Sequence, residues 1–325
     1  MVAGGIAAAI ALLIPWLPEP ASREAGRIHF VFWFTTVICI AIFSLVASLI
    51  VYSVIRFRAR PDDEEDGLPI HGHTALEIVW TAVPTALVTS IAIVSAIVLA
   101  KDDAAGATPM RVNVLAQQFA WSFSYPGTKV QNVGVLRLPV GRSVKLYLNS
   151  KDVIHSFWVP QFSQKQDTWP GKTQTLHITP TRVGTYPVVC TELCGLGHAF
   201  MRTKVIVMEP GAFERWLRQQ PQQAQGGQGG GAAVFQSAGC GSCHTLKAAG
   251  STGKIGPDLD DLAAGARKAG KPLDPYTRES IVDPNAYVVP GYQKGVMPTT
   301  FGSSLSKSQL DALVQYLVAS ARKGR

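Results

Sequence analysis

Two short stretches of this chain concentrate side chains that bind transition metals. The first runs from Cys190 to Met201 and holds two cysteines four residues apart, then His198, then a methionine three residues later. Thiolate, imidazole and thioether groups suit copper, whereas calcium and magnesium prefer oxygen ligands. A disulfide is the alternative for the cysteine pair, but it would not require His198 or Met201 at these offsets. The spacing therefore predicts a copper site.

The second stretch is Cys240-Gly-Ser-Cys243-His244, the sequence pattern to which c-type haem is covalently attached. Both thiols would form thioethers with the haem vinyl groups, and His244 would be the proximal iron ligand. A redox-active cysteine pair is disfavoured by the histidine that follows directly, and a zinc site is disfavoured by the lack of a second cysteine pair to complete it. We therefore predict one covalent haem c.

The copper segment, together with Asp152–Pro160, resembles the binuclear copper (CuA) motif of cytochrome c oxidase subunit II. The resemblance implies two thiolates that bridge two copper ions, two histidines that each terminate one ion, and two weak ligands. In that order these are Cys190 and Cys194, His155 and His198, and Met201 and the backbone carbonyl of Glu192.

The aromatic run Gln118–Tyr125 resembles the segment that precedes the copper ligands in the same family. In the family, the first tryptophan of this run is thought to admit electrons from a mobile cytochrome c. This chain departs from the pattern, because Phe119 stands at that position and Trp121 matches the second tryptophan. Both residues are candidates for an electron relay.

The C-terminal region resembles an all-α, class I cytochrome c. Gly295–Pro298 matches the family's Met-Pro segment, which makes Met297 the candidate distal iron ligand. Ile255–Leu259 matches the stretch that holds the proximal histidine, with the Pro257 carbonyl accepting a hydrogen bond from the ring of His244. A helix over 306–321, capped by Ser306, would close this domain.

Two apolar segments predict a transmembrane hairpin. Residues 28–55 and 74–100 are each long enough to cross a hydrocarbon core, for which about 20 helical residues suffice. Three arginines at 56, 58 and 60 place the intervening loop in the cytoplasm by the positive-inside rule. Residues 2–17 are apolar but short, and fit either a secretory signal or an uncleaved, membrane-associated segment.

The second helix opens with Glu77–Pro84, which resembles the second-helix start of oxidase subunit II. In the family the matching glutamate is the mouth of a proton pathway into the catalytic subunit, so Glu77 is the candidate for proton entry. A negative charge in the first turn also stabilises the helix through its dipole. The two roles are compatible.

Between the hairpin and the haem motif, short apolar runs separated by turn residues predict an all-β, antiparallel Greek-key sandwich of the cupredoxin type. The predicted strands are 111–117, 134–138, 143–149, 173–178, 184–189 and 202–207. An amphipathic helix over 209–221 and a Gln/Gly-rich, flexible linker follow. The predicted divisions are an N-terminal segment 1–27, a hairpin 28–100, a copper domain 101–220, a linker 221–232 and a cytochrome domain 233–325.

The net charge of +8 is spread along the chain rather than clustered in a stripe, which disfavours nucleic acid as a partner. Hydrophobic residues make up 47% of the chain and charged residues only 16%, as expected if part of it lies in lipid. Residues 101–220 carry 14 basic and 7 acidic side chains. The basic excess therefore lies outside the membrane segments.

The resemblance spans nearly the whole chain and is to subunit II of caa3-type oxidases, a multidomain membrane protein. It implies an electron-transfer subunit that relays electrons from haem c to CuA and on to haem a in subunit I, where O2 is reduced. Subunit III, and an upstream cytochrome bc-type complex or cytochrome c, are the other expected partners. The expected location is the bacterial plasma membrane, with both metal domains on the periplasmic side.

Three other functions fit part of the pattern. A CuA-bearing subunit of a nitric oxide reductase would keep the metals, and this chain alone does not identify the terminal acceptor. Quinol oxidase subunits share the fold but lack the copper ligands that are intact here. A membrane-anchored copper carrier would explain neither the haem motif nor Glu77.

Overall fold

The structure is a computed structural model that describes residues 13–58, 71–104, 108–223 and 227–323, with the single residues 5, 9, 69 and 106. The chain divides into two compact units, Met1–Ala104 and Ala105–Arg325. Most of the predicted N-terminal segment before residue 13, and most of the predicted cytoplasmic loop, lie outside the described residues.

The first unit is a pair of long helices, α1 (Arg23–Arg56) and α2 (Thr74–Asp103). Both are long and apolar enough to cross a membrane, and their large apolar side chains are widely exposed, as lipid-facing residues would be. Ser22 caps α1 by accepting a hydrogen bond from the Ala25 amide at 3.0 Å, which starts the helix five residues before the predicted position. The predicted helical hairpin is confirmed.

An ion pair ties the two helices together at one end of the hairpin. Arg27 Nε donates to the Asp102 carboxylate at 2.5 Å, and the Glu24 carboxylate lies 3.6 Å from the same guanidinium. The side chains of Glu24 and Asp102 are buried. Because buried carboxylates need a charged partner, Arg27 fixes how this end of α1 meets α2.

The second unit begins with a sandwich of two sheets. One sheet has the strand order β2-β1-β4-β7 and the other β3-β9-β8-β5-β6. The strands are β1 (Met110–Gln117), β2 (Ala120–Ser124), β3 (Leu136–Pro139), β4 (Val144–Ser150), β5 (His155–Val159), β6 (Gln164–Thr168), β7 (Gln174–Ile178), β8 (Gly184–Cys190) and β9 (Arg202–Met208).

Alternating burial along the strands builds the core between the sheets. In β4 every second residue from Val144 to Ser150 is buried, as expected of a strand with one face on the core. The six predicted strands are present, and β2, β5 and β6 join them. Two strand pairs, β1 with β4 and β3 with β9, are parallel rather than antiparallel.

Helix α3 (Pro210–Gln223) follows β9 and buries Phe213 and Trp216 against the sandwich. The Tyr125 ring lies 6.1 Å from the Phe213 ring and 5.2 Å from the Trp216 ring, measured between centroids. The Arg137 guanidinium lies 4.9 Å from the centre of the Trp216 ring. These contacts attach α3 to the copper domain, as its amphipathic pattern indicates.

The remainder is a small helical domain around one apolar core. Its elements are α4 (Gly227–Ser237), α5 (Cys240–Cys243), a two-stranded ribbon of β10 (Thr245–Leu246) and β11 (Ser251–Thr252), α6 (Leu262–Lys268), α7 (Leu273–Val282), α8 (Phe301–Ser304) and α9 (Lys307–Lys323). Ser306 caps α9 as predicted, because its hydroxyl accepts from the Gln309 amide at 3.2 Å. Gln309 Oε1 accepts from the Ser306 amide in return, which completes a capping box.

Helix α4 starts inside the stretch predicted as linker. It packs along α9, and Gly231 comes so close that a Cβ there would lie 2.2 Å from the Ala312 carbonyl oxygen. Gly231 therefore allows α4 and α9 to touch. The low complexity of the Gln/Gly-rich stretch predicts a linker and does not reveal this contact.

Candidate metal centres

The copper-type side chains come from two elements at one end of the sandwich. His155 is the first residue of β5, and Cys190 is the last residue of β8. The chain then forms a loop that ends in a short 3-10 turn, His198–Phe200, before β9 begins. Because β5 pairs with β8, with Phe157 opposite Cys190, the sheet itself brings the histidine to the loop.

The donor atoms of this site lie within a few ångströms of one another. Those of His155, Cys190 and Cys194 are all within 4.8 Å. The separations from Cys190 Sγ are 3.9 Å to Cys194 Sγ, 3.3 Å to the Glu192 carbonyl oxygen and 4.0 Å to His155 Nδ1. Those from Cys194 Sγ are 3.6 Å to His198 Nδ1 and 3.8 Å to Met201 Sδ.

These separations fit metal binding. Ligands held tetrahedrally around a first-row metal at about 2.0–2.3 Å lie about 3.3–3.8 Å from each other. Cys190 and Cys194 are free thiols in the structure, and they are buried together with His155 and Met201. A buried cluster of soft donors is the environment that copper requires. All six predicted ligands are brought together, with His198 half-buried and Glu192 contributing its backbone rather than its exposed side chain.

Asp152 holds the imidazole of His155 in place. The Asp152 carboxylate lies 2.8 Å from His155 Nε2, so the other ring nitrogen, Nδ1, faces the sulfur of Cys190. Burial alone would lower the pKa of His155, but its hydrogen bonds with Asp152 and Cys190 outweigh burial and raise it. Metal-binding histidines commonly have such a carboxylate partner, which sets the tautomer.

The two buried thiols differ in acidity. Their mutual hydrogen bond lowers the pKa of Cys190 and raises that of Cys194, and burial of Cys194 adds to its rise. Cys190 is thus the more readily ionised of the two. Thiolates, not thiols, bind metals.

The haem-type side chains surround one large apolar cavity. Cys240, Cys243, His244 and Met297 all line it, and most of the other lining residues are apolar. A largely apolar pocket with a few polar groups is the usual form of a cofactor site. Burial raises the pKa of Cys240 to about 12. The four predicted residues therefore face the same space.

His244 is oriented as a metal ligand. Its Nδ1 donates to the Pro257 carbonyl at 2.8 Å, as the sequence predicted, which leaves the lone pair on Nε2. Burial lowers its pKa and the Pro257 hydrogen bond opposes this only in part, so the ring is neutral at pH 7. Gly256 lies directly under the ring, because a Cβ at that position would be 2.3 Å from His244 Cε1.

Phe119 contacts both sites. The residue lines the haem-type cavity, with its backbone carbonyl close to Gly239, and its ring packs on the copper loop so closely that a Cβ on Gly197 would lie 2.3 Å from Phe119 Cδ2. Trp121 occupies a different position, buried behind His155 with 6.2 Å between ring centroids. Of the two relay candidates, only Phe119 borders the haem-type cavity within the described residues.

The helical domain touches the sandwich next to Phe119. Ser122 Oγ donates to the Ser237 carbonyl at 3.3 Å. Gly239 has a φ of 71°, and a Cβ there would lie 2.7 Å from Ala120 Cβ. A glycine both adopts this backbone conformation and permits the approach.

Glu77 lies in the first turn of α2. Its Oε1 accepts from the His73 amide at 3.3 Å, and His73 Nδ1 accepts from the Leu76 amide at 3.3 Å. The two side chains form a reciprocal cap at the helix start. Sequence reasoning anticipated the charge in this turn but not the capping histidine.

Gln118 is the residue that sequence reasoning missed. Its side-chain amide donates to the Cys194 carbonyl at 2.5 Å, and its backbone amide donates to Asp152 at 2.7 Å. The only available signal was its position directly before Phe119.

Three families of known domains match the chain. They are "Cytochrome C oxidase subunit II, transmembrane domain" at residues 10–98, "Cytochrome C oxidase subunit II, periplasmic domain" at 128–209, and "Cytochrome c" at 230–321. The two helices therefore anchor the chain in a membrane, with the sandwich as the periplasmic domain. Copper and haem are the cofactors that these domains imply.

Full-length relatives carry the same description. Cytochrome c oxidase subunit 2 of Thermostichus vulcanus is 37% identical over 256 residues, covering 62% of this chain and 78% of the relative. Cytochrome c oxidase subunit 2 of Alkalihalophilus pseudofirmus is 30% identical over 297 residues, covering 87% of this chain and 84% of the relative.

Among solved structures, the periplasmic domain of subunit II of cytochrome oxidase of Bradyrhizobium japonicum is 24% identical. It matches 37% of this chain and 98% of its own length, with a TM-score of 0.34. The sequence relatives and the three domain matches together establish the assignment. The chain belongs to the cytochrome c oxidase subunit II family, in the form that carries a cytochrome c domain at its C-terminal end.

Proposed function

We propose that this chain is the electron-transfer subunit of a proton-pumping caa3-type cytochrome c oxidase. It takes electrons through a haem c, passes them to a dinuclear copper centre, and delivers them to haem a in subunit I for reduction of O2 to water. When bound, the two cofactors supply one-electron redox chemistry. The protein binds them, orients them and sets their distance.

In this proposal the copper centre holds two ions. Cys190 and Cys194 would bridge them, His155 and His198 would each bind one, and Met201 and the Glu192 carbonyl would complete the set. The two sulfurs lie 3.9 Å apart within a buried pocket, so both can face the same pair of ions. Equal sharing of two thiolates spreads the charge over both ions and lowers the reorganisation that each electron transfer requires.

Cys240 and Cys243 would attach the haem, and His244 and Met297 would be its iron ligands. The neutral ring of His244 is oriented by Pro257, and Met297 lies on the wall of the same cavity. The thioether bonds to Cys240 and Cys243 are inferred from the sequence motif.

A single observation carries the proposed relay: the ring of Phe119 packs on the copper loop, and the same residue lines the haem cavity. One aromatic residue therefore borders both sites. Phe119 thus fills the role that the family gives to a tryptophan. Trp121, buried against His155, supports the copper site from within the core.

The partners follow from this assignment. Subunit I supplies the O2-reducing site, subunit III is expected beside it, and a cytochrome bc-type complex or a cytochrome c supplies electrons. The hairpin crosses the bacterial plasma membrane, and both metal domains lie on its periplasmic side. Glu77, at the cytoplasmic start of α2, is the proposed proton entry.

Cys190→Ser tests the copper assignment. In the intact complex this change should abolish the mixed-valence near-infrared band and the hyperfine pattern of two equivalent coppers, while the haem c spectrum stays unchanged. After flash reduction of haem c, the electron should then remain on the haem. Two retained coppers with an unaltered spectrum would refute the bridging role.

A further inference from the structure

Gln118 makes two hydrogen bonds that reach the two ligand-bearing elements of the copper site. Its side-chain Nε2 donates to the carbonyl of Cys194, the residue that carries one of the sulfurs, at 2.5 Å. Its backbone N–H donates to Asp152 Oδ2 at 2.7 Å. The first contact fixes the loop, and the second fixes the residue that orients His155.

The second contact acts on the histidine through Asp152. The other oxygen of this carboxylate, Oδ1, lies 2.8 Å from His155 Nε2 and also accepts from the Val153 amide at 2.7 Å. With both oxygens engaged, the carboxylate has a defined orientation, and so has the imidazole. Gln118 therefore acts on His155 through the Asp152 carboxylate, without touching the ring.

The loop is shaped to meet the Gln118 amide. Gly195 has a φ of 124°, and a Cβ there would lie 2.9 Å from Gln118 Nε2 and 3.2 Å from the Phe119 ring. A side chain at position 195 would strain the backbone and displace the amide. The peptide between Cys194 and Gly195 is thus held between the Gln118 amide and the Phe119 ring.

We propose that Gln118 is a positioning residue for the copper centre: it holds the Cys194 peptide and the Asp152 carboxylate, and so sets the loop and His155 relative to each other. The inference rests on the proposed copper function. Because Phe119 is the next residue, the same segment also fixes the relay ring against the loop. Loss of the amide should make the two copper environments unequal and loosen the loop.

The variants are Gln118→Leu, which removes the donor, and Gln118→Glu, which keeps the size but replaces the donor by a carboxylate oxygen. Both keep the backbone N–H that binds Asp152. The matched control is Gln131→Leu, because the exposed Gln131 amide also donates to a backbone carbonyl, that of Thr128 at 3.2 Å, in a turn remote from the copper ligands. If Gln118→Leu does not fold, Gln118→Glu still tests the role of the donor.

Two readouts separate the inference from the proposed function. In the metal-free full chain, hydrogen exchange of the 190–201 amides should be faster in both Gln118 variants than in Gln131→Leu. In the copper-loaded complex, the hyperfine pattern should become unequal, and copper affinity should fall by about 10- to 100-fold, the usual effect of losing a partner that orients a ligand.

The outcomes are distinct. Exchange rates, hyperfine pattern and copper affinity equal to those of Gln131→Leu would overturn the positioning role of Gln118. A wild-type complex without a mixed-valence signal would overturn the dinuclear centre instead, and faster exchange in the metal-free variants would still support Gln118 as the residue that holds the loop.

Discussion

Glu77 has two possible roles that a pair of substitutions can separate. Its carboxylate accepts a hydrogen bond from the His73 amide at the start of α2, and in the proposed function it also admits protons. Glu77→Gln keeps an acceptor oxygen but cannot carry a proton at neutral pH. We expect this variant to assemble normally and to turn over several-fold more slowly, with the haem-to-copper electron-transfer rate unchanged.

The comparison variant is Glu77→Ala, which loses the cap as well as the carboxyl group. Turnover by the oxidase in vesicles and time-resolved copper reduction are the measurements. If Glu77→Gln turns over like the wild type and only Glu77→Ala is slow, then Glu77 serves the helix start alone.

At the residue scale, the sequence predicts the donors but not their supports. The six candidate copper ligands and four candidate haem residues are identifiable because their chemistry limits the residue types at each position. Gln118 and Asp152 act through ordinary hydrogen bonds, which many side chains can make. Such partners become visible only when the fold places them beside a ligand.

At the element scale, Tyr125 protects the edge of a sheet. Its hydroxyl accepts from the Arg137 amide at 2.8 Å and donates to the Arg137 carbonyl at 2.9 Å, in β3, the outermost strand of its sheet. Tyr125→Phe leaves both backbone groups without this partner. A lost partner of a buried polar group costs about 1–3 kcal/mol, so we expect a loss of stability in that range.

The same tyrosine makes stability depend on pH. Burial raises the pKa of Tyr125 above its usual value near 10. The unfolded chain therefore releases this proton first, and the contribution of Tyr125 is complete below about pH 10 and lost as the pH rises further. Denaturation followed by tryptophan fluorescence at pH 8 and pH 10.5 should show this loss in the wild type and not in Tyr125→Phe.

Tyr147→Phe is the control for both measurements. The Tyr147 ring contacts the side chains of Arg111 and Lys145, and phenylalanine keeps that ring while removing a tyrosine hydroxyl. Equal stability of Tyr125→Phe and Tyr147→Phe at both pH values would contradict the proposed protection of the edge.

Long, strongly patterned elements are predictable from the sequence, and short ones beside the metal sites are not. Both membrane helices and α9 follow from apolar length, periodicity and a cap. Strands β2, β5 and β6 are missed because they carry aromatic, histidine and polar residues instead of clean alternation. Within the core of the sandwich, tertiary contacts determine their conformation.

At the scale of the whole molecule, charge determines which donor the copper domain can accept. Residues 101–220 carry 14 basic and 7 acidic side chains, so a basic soluble cytochrome c is repelled. Truncation after Gln223 removes the haem domain but keeps α3 on the sandwich. We expect the copper spectrum to persist, while oxidation of a basic cytochrome c at low salt falls by at least about tenfold.

Salt provides the control for this truncation. Repulsion between exposed charges is screened over about 10 Å at 0.1 M salt, so added salt should partly restore oxidation by the truncated complex. Undiminished turnover at low salt would show that the haem domain is dispensable and that the charge argument is wrong.

The overall order of membrane hairpin, sandwich and cytochrome domain is predictable because each part has its own composition. The domain boundaries are harder to predict, as the Gln/Gly-rich stretch illustrates. Glycine permits flexibility, but at Gly231 it also permits close packing against Ala312. Composition does not distinguish these two uses.

The contact of Gly239 with Ala120 has a consequence for biogenesis. A haem-attaching enzyme must reach Cys240 and Cys243, yet the backbone that leads into this motif is pressed against the sandwich, with Phe119 at the cavity wall. We therefore expect haem attachment to be faster while the two domains are apart. In pulse-labelling, most chains should acquire haem before docking, and equal attachment to docked and undocked chains would contradict this order.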